Sequence, residues 1–311
     1  MPNPQAAESV TPLSSETVVS ISNLVKRYGE VVAVDHLSLD IARGEIFGLL
    51  GPNGSGKTTT INCLLQLLDY DHGQIELCGK PMRPDSYDIK RKIGIVPQEV
   101  AVFDELTVRE NVDSFCALYV PQSSRRRELV DRAIEFVGLQ KFQGFRPKKL
   151  SGGLLRRLNI ACGIAHQPSL IIMDEPTVAV DPQSRNSILD GIERLNRDGA
   201  TIIYTSHYME EVERLCRRVL IMDHGRQVAS GTPDELKAMI GTGERISVET
   251  GTASEAIIES IRMLPHVRSV EFSEGMLHVQ CSNGAHNLSE VLSALAREHV
   301  DYGRILSEPP T

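Results

Sequence analysis

Residues Gly51-Pro52-Asn53-Gly54-Ser55-Gly56-Lys57-Thr58 fit the pattern GxxxxGK[ST] in full. No other stretch of the chain limits its fold so tightly. Glu45 to Leu50, apolar from Ile46 onward, reads as a short buried strand, and Lys57 to Leu68 reads as a helix. A strand, a glycine loop and a helix in that order let main-chain N–H groups wrap phosphate oxygens. The helix start adds the positive end of its dipole. Lys57 is expected to reach the β and γ phosphates, and the Thr58 hydroxyl to face Mg²⁺.

Such a loop needs a second, acidic contribution to Mg²⁺. The apolar run Leu170-Ile171-Ile172-Met173 ends in Asp174-Glu175. Acids at the C-terminal end of a buried strand stand where open α/β sheets bind ligands. Asp174 is expected to hold Mg²⁺ through water. Glu175 is placed to polarise an attacking water as general base.

Around these motifs the chain alternates between strand and helix patterns. Val18 to Leu24 and Val31 to Ile41 alternate like strands. Thr107 to Tyr119, Arg126 to Gly138 and Gly152 to Ala165 show helical spacing of apolar residues. Ser169 to Met173 and Ala200 to Thr205 read as buried strands on either side of a helix over Ser184 to Asp198. The predicted class is α/β with a largely parallel sheet. The Arg125-Arg126-Arg127 run follows Ser123-Ser124, which reads as a helix cap, and is expected on a solvated helix face.

Leu150-Ser151-Gly152-Gly153 then narrows the reading, with Ser151 standing 94 residues after Lys57 and shortly before Asp174. With this signature the chain resembles the nucleotide-binding subunits of ATP-binding cassette (ABC) transporters over roughly Val18 to Ile240. The resemblance implies a P-loop NTPase fold with a helical subdomain at about residues 100–165, ATP and Mg²⁺ as cofactors, and ATP hydrolysis. It implies nucleotide contacts from Gly51 through Thr59, and a second anion site from Ser151, Gly152 and Gly153. That second site serves another cassette's ATP, because it lies too far from its own loop. Tyr28, 23 residues before the loop, matches the aromatic that stacks on adenine. Gln98 in Val96-Pro97-Gln98-Glu99 matches the Q-loop, which touches Mg²⁺ or the lytic water and faces the membrane partner. Asp181 before Pro182 matches the D-loop at the dimer interface, and His207 the switch histidine at the γ-phosphate.

Two departures from the family pattern are visible. Leu154-Leu155 replaces a common polar pair, and Val178-Ala179-Val180 precedes Asp181 where many members have Gly-Leu. Neither removes a phosphate, metal or base group. The D-loop wording and the segment Met209-Glu210-Glu211-Val212-Glu213 are most similar to ABC-2 type exporters of antibiotics and peptide toxins, such as the daunorubicin, linearmycin and streptolysin S export ATPases. The implied partners are transmembrane permease subunits and a second cassette, as homodimer or heterodimer. The implied location is the cytoplasmic face of the membrane. The alternative is a soluble ABC ATPase of DNA repair or translation. Against it stand the interval between loop and signature, which lacks sustained heptads, and the single cassette. A module that holds ATP without turnover is disfavoured by Glu175 and His207.

Composition agrees with this. Among 311 residues, 41% are hydrophobic and 24% charged, as in ordinary globular proteins. The net charge of −8 disfavours nucleic acid, which needs clustered Lys and Arg. The longest uncharged stretch, Leu158 to Met173, has 16 residues and several polar ones, too few apolar residues to span a bilayer. The first 25 residues hold no Lys or Arg and no apolar core segment, so no secretion signal is expected. Six cysteines, no two closer than 15 residues, suggest neither CxxC chemistry nor a disulfide framework, and a reducing compartment.

Three regions are expected: a flexible extension over 1–17, the cassette over 18–240, and a small module over 241–311. Thr242 to Thr252, rich in Gly and Thr, reads as a linker, although Arg245 to Glu249 within it is strand-like. Beyond it come helix Ser254 to Leu264, strands Val267 to Phe272 and Met276 to Cys281, helix Asn287 to Glu298 and a strand at Tyr302 to Leu306. That βαββαβ order predicts a ferredoxin-like α+β unit.

Overall fold

The computed structural model describes residues 16–240, 245–282, 287–298 and 300–308. The expected extension, apart from Glu16 and Thr17, lies outside them. The rest divides into two compact units, one up to Thr232 and one from Pro233 onward.

The first unit is built on two sheets. Strands β1 (Thr17–Tyr28), β2 (Val31–Ala42), β4 (His72–Leu77) and β5 (Lys80–Pro81) form an antiparallel sheet in the order β2-β1-β4-β5. Strands β3 (Ile46–Leu50), β6 (Ile93–Val96), β7 (Leu170–Asp174), β8 (Thr201–Ser206), β9 (Arg218–Asp223) and β10 (Arg226–Gly231) form the second, in the order β10-β9-β3-β8-β7-β6. Its pairs are parallel except β9 with β10. Strands β3, β7 and β8 are buried at every position, as central parallel strands covered on both faces must be.

Helix α1 (Lys57–Leu64) follows β3 through the glycine loop. Its Ile61, Cys63 and Leu64 join one apolar core with Val19 and Ile21 of β1, Leu37 of β2, Ile75 of β4 and Ile172 of β7. That core unites both sheets and fixes the strand and the helix between which the loop is strung. The short α2 (Tyr87–Lys90) leads into β6.

Between β6 and β7 the chain leaves the sheet to form α3 (Val108–Ala117), α4 (Ser123–Phe136) and α5 (Gly152–Ile164). Thr107 caps α3 and shares a capping box with Glu110. The cap of α4 is Gln122, not the serine pair: Ser123 already lies in the helix, and no side chain caps it. Ser151 is the N-cap of α5, and its hydroxyl accepts from the Leu154 amide. Helices α6 (Pro182–Arg197) and α7 (Met209–Leu215) link β7 to β8 and β8 to β9.

The second unit opens with α8 (Pro233–Ile240), so this helix groups with the smaller unit instead of the cassette. Strand β11 (Arg245–Glu249) lies within the expected linker, because Ile246, Ser247 and Val248 are buried. The linker residues Thr242 to Glu244 lie outside the described residues. Helix α9 (Glu255–Arg262), strands β12 (Val267–Ser273) and β13 (Met276–Cys281), helix α10 (Leu288–Arg297) and strand β14 (Ile305–Glu308) complete it. The antiparallel order β12-β13-β11-β14 is that of a ferredoxin-like βαββαβ unit. Its own core includes Ile246, Val248, Ile261, Leu277, Val291 and Leu295.

Candidate nucleotide site

The glycine loop runs from the end of β3 to the start of α1. Gly56 is the N-cap of α1 and has φ +105°, a conformation that L side chains rarely adopt. A Cβ there would also meet the Ala33 carbonyl at 2.5 Å. The loop therefore needs glycine at this position for backbone geometry and for space.

The Lys57 ammonium is drawn into the loop. It donates to the carbonyls of Gly51 (2.7 Å) and Pro52 (3.1 Å), and the residue is only 5% exposed. A cavity of about 320 Å³ opens over the loop, lined by Asn53 through Thr59 with Ala33, Gln98 and Glu175. The Ser55 hydroxyl is buried beside it without a hydrogen-bond partner. Loop amides, one buried cation and an unsatisfied hydroxyl make a site whose polar groups fit a polyphosphate.

Asp174 and Glu175 arrive from the end of β7. Asp174 Oδ2 accepts from Thr58 Oγ1 (3.1 Å), and Oδ1 accepts from Thr205 Oγ1 (2.6 Å). A hydroxyl and a carboxylate side by side are hard oxygen donors of the kind Mg²⁺ takes, few in number because the ion keeps water. Gln98 is the second residue after β6 and donates from Nε2 to Glu175 Oε2 at 3.2 Å. His207 Nδ1, just past β8, lies 3.6 Å from the same oxygen, and Lys57 Nζ lies 3.9 Å from Oε1. Glu175 has φ +46°, left-handed for a non-glycine residue. Its amide is held by Thr205 Oγ1 at 2.9 Å. Neighbouring parallel strands β6, β7, β8 and β3 thus deliver Gln98, the acid pair, His207 and the loop to one edge of the sheet.

The structure separates the remaining expected residues from this cavity. Tyr28 ends β1, is 51% exposed and is not among the lining residues; Lys26 Nζ lies 5.3 Å from its ring centre. Ser151, Gly152, Gly153 and Asp181 form a second cluster that does not line the cavity either. Asp181 caps α6 by accepting from the Ser184 amide, and the Ser184 hydroxyl, with that amide, holds its carboxyl below the usual carboxylate range. Gly153 packs so closely on α6 that a Cβ would stand 2.3 Å from Ser184 Oγ and 3.1 Å from Asp181 Oδ2. Ser151, Gly152 and Asp181 are exposed, whereas Gly153 is buried.

Sequence reasoning passed over Thr205 and Glu211. Thr205 binds both site acids, yet its hydroxyl carries no signal in a strand that reads as buried. Glu211 Oε2 accepts from Thr177 Oγ1 (2.9 Å), Tyr204 OH (2.8 Å) and Ser206 Oγ (2.8 Å). Burial and the nearby Glu211 carboxylate push the Tyr204 phenol upward in pKa.

A phosphate loop, its lysine and a magnesium-type carboxylate on a parallel sheet define a nucleoside triphosphatase of the P-loop class. Residues 34–178 match the model of the ABC transporter family. The chain is 40% identical over 290 residues to the linearmycin resistance ATP-binding protein LnrL of Bacillus subtilis, covering 93% of each chain. It is 33% identical to the daunorubicin resistance ATP-binding protein DrrA3 of Streptomyces coeruleorubidus, covering 96% of this chain and 94% of that one. The dimeric post-hydrolysis cassette MJ0796, bound to ADP and phosphate, is similar in structure: TM-score 0.64, 27% identity, 69% of this chain and 98% of that one. The chain belongs to the ABC transporter family, as its ATP-binding and ATP-hydrolysing subunit, with ATP and Mg²⁺ as cofactors. These relatives favour transport over DNA repair or translation. Cassettes of the family dimerise and work with membrane permeases.

Proposed function

We propose that Glu175 is the general base of ATP hydrolysis in a cassette pair that drives export through a separate permease. The observation that carries the reading is the convergence of Lys57, Gln98 and His207 on one buried carboxylate. Bound Mg²⁺ would neutralise phosphate charge; Thr58 and Asp174 are the residues to hold it, with Gln98 beside them. Lys57 and the amides from Asn53 to Thr59 orient the phosphates. Glu175 takes the proton of the attacking water, and Gln98 and His207 fix its carboxylate. Tyr28 stacks on adenine from outside the cavity wall.

Ser151, Gly152 and Asp181 are exposed around the buried Gly153, which supports the four serving the nucleotide of a second cassette. Phe103, Leu106, Phe115 and Leu118 line an apolar hollow of about 460 Å³, with Phe103 and Leu118 more than half exposed. It lies a few residues beyond Gln98. An exposed apolar patch of this kind fits a permease segment, and docking there would place the chain on the inner face of the membrane. Among the described residues no helix is long and apolar enough to cross a membrane. The relatives named for linearmycin and daunorubicin resistance favour an antibiotic or a lipid- or peptide-like export substrate.

The test is light scattering of Glu175→Gln with ATP. A trapped dimer is expected. A species that stays monomeric, with wild-type hydrolysis first order in protein, would reject the paired site.

A further inference from the structure

Arg156 is the fifth residue of α5 and only 3% exposed. A buried guanidinium is costly unless its donors are matched. Here they are, entirely by main-chain carbonyls. Nε donates to Pro176 O at 2.7 Å, and Nη1 to Pro97 O and Gln98 O, both at 2.8 Å. Nη2 donates to Glu175 O at 2.8 Å and Asp174 O at 3.2 Å. The carbonyls belong to two segments: the turn after β6, which carries Gln98, and the turn after β7, which carries Glu175. Asn159, one turn further along α5, adds to the hold. It donates from Nδ2 to Pro97 O and accepts from the Ala101 amide at Oδ1, each at 3.2 Å.

The consequence falls on Glu175. Its left-handed φ of +46° is a conformation that an unrestrained glutamate leaves. Thr205 holds the amide of this residue and Arg156 its carbonyl. Without the guanidinium, the carbonyl of Glu175 loses the shorter of its two hydrogen bonds and keeps only the Val178 amide at 3.3 Å, so the backbone can relax and swing the carboxylate from Gln98 and His207. Lysine cannot replace this, because one ammonium cannot span carbonyls on two turns in a planar fork.

We propose that Arg156 is a positioning residue for hydrolysis: it holds the backbones of Gln98 and Glu175 in register and ties both to the helix that Ser151 caps. The proposal rests on Glu175 as the base. It predicts that losing Arg156 costs turnover and not nucleotide binding, since no contact of Arg156 reaches the glycine loop.

The experiment uses full-length Arg156→Lys and Arg156→Gln. Amide hydrogen exchange of the nucleotide-free chain is expected to rise at residues 98–101, 175 and 177–179, with the sheet protected as in the parent. Affinity for a fluorescent ATP analogue and KM are expected to stay near parental values. kcat is expected to fall about 100-fold, the scale of a small misplacement of a reacting group, with no recovery in the lysine variant. Parental kcat in either variant overturns the proposal. So does a loss confined to KM, or unfolding of both variants, which would assign Arg156 to stability alone. The exchange readout needs no nucleotide and judges the clamp independently. Parental turnover in Glu175→Gln would instead reject the base assignment.

Discussion

Gln98 Nε2 donates to Glu175 Oε2 across 3.2 Å, joining the turn after β6 to the acid after β7. Main-chain carbonyls of the same two residues meet on one guanidinium, that of Arg156. The turns that carry Gln98 and Glu175 are therefore joined twice, once through side chains and once through main-chain carbonyls.

Glu175→Gln is expected to keep nucleotide affinity and to lower turnover by about 10²- to 10⁴-fold, the usual worth of a general base. Phosphate release compared with a binding titration checks this. Near-parental turnover would remove Glu175 from the role.

Lys57→Ala removes the cation held by Gly51 and Pro52. Binding itself should then fail, unlike in the glutamate variant. Titration with a fluorescent ATP analogue is the measurement, and unchanged affinity and rate would mean that the loop is not a working phosphate site.

Glu211→Ala strands three hydroxyl donors, on Thr177, Tyr204 and Ser206. Each buried donor left without a partner costs about 1–3 kcal/mol. The urea midpoint should fall sharply, whereas Glu210→Ala, at an exposed position, should leave it nearly unchanged. Equal midpoints for the two variants would contradict the buried network.

Ala179 is exposed and has φ +58°. An L residue in this region costs about 1–2 kcal/mol, and glycine returns about 0.4–1 kcal/mol of that through a freer unfolded chain. Ala179→Gly is thus expected to stabilise by about 0.5–1 kcal/mol in denaturant unfolding. A lower midpoint would show that the alanine methyl contributes packing that outweighs the strain.

A chain ending at Thr232 should fold and bind nucleotide, since every group lining the cavity lies before it and the smaller unit has its own core. That unit carries none of the phosphate, Mg²⁺ or base groups, and an accessory role in pairing is expected for it. Sedimentation of the truncated chain should show altered self-association. Loss of nucleotide binding in a truncated protein that remains folded would mean that the smaller unit completes the site.

The glycine loop, the acid pair and the signature were legible because each is a local arrangement. Consecutive residues set its backbone, and a strand before or a helix after confirms it. The buried strands β3, β7 and β8 announced themselves by unbroken apolar runs. Strands β4, β5 and β10 did not, because they are short and mostly exposed or half-buried, and their partners decide their structure. The boundary at Thr232 and the strand inside the expected linker were likewise set by packing. What the sequence alone determined is the set of groups on which the proposed roles rest: the glycine loop, the acid pair at a strand end and the signature before a helix. What only the tertiary structure decided is how those groups are held. Arg156 reaches carbonyls up to 59 residues away, and Thr205 and Glu211 find partners about 30 residues away. No periodicity records such pairings, since a buried polar group is satisfied by whatever the fold brings beside it.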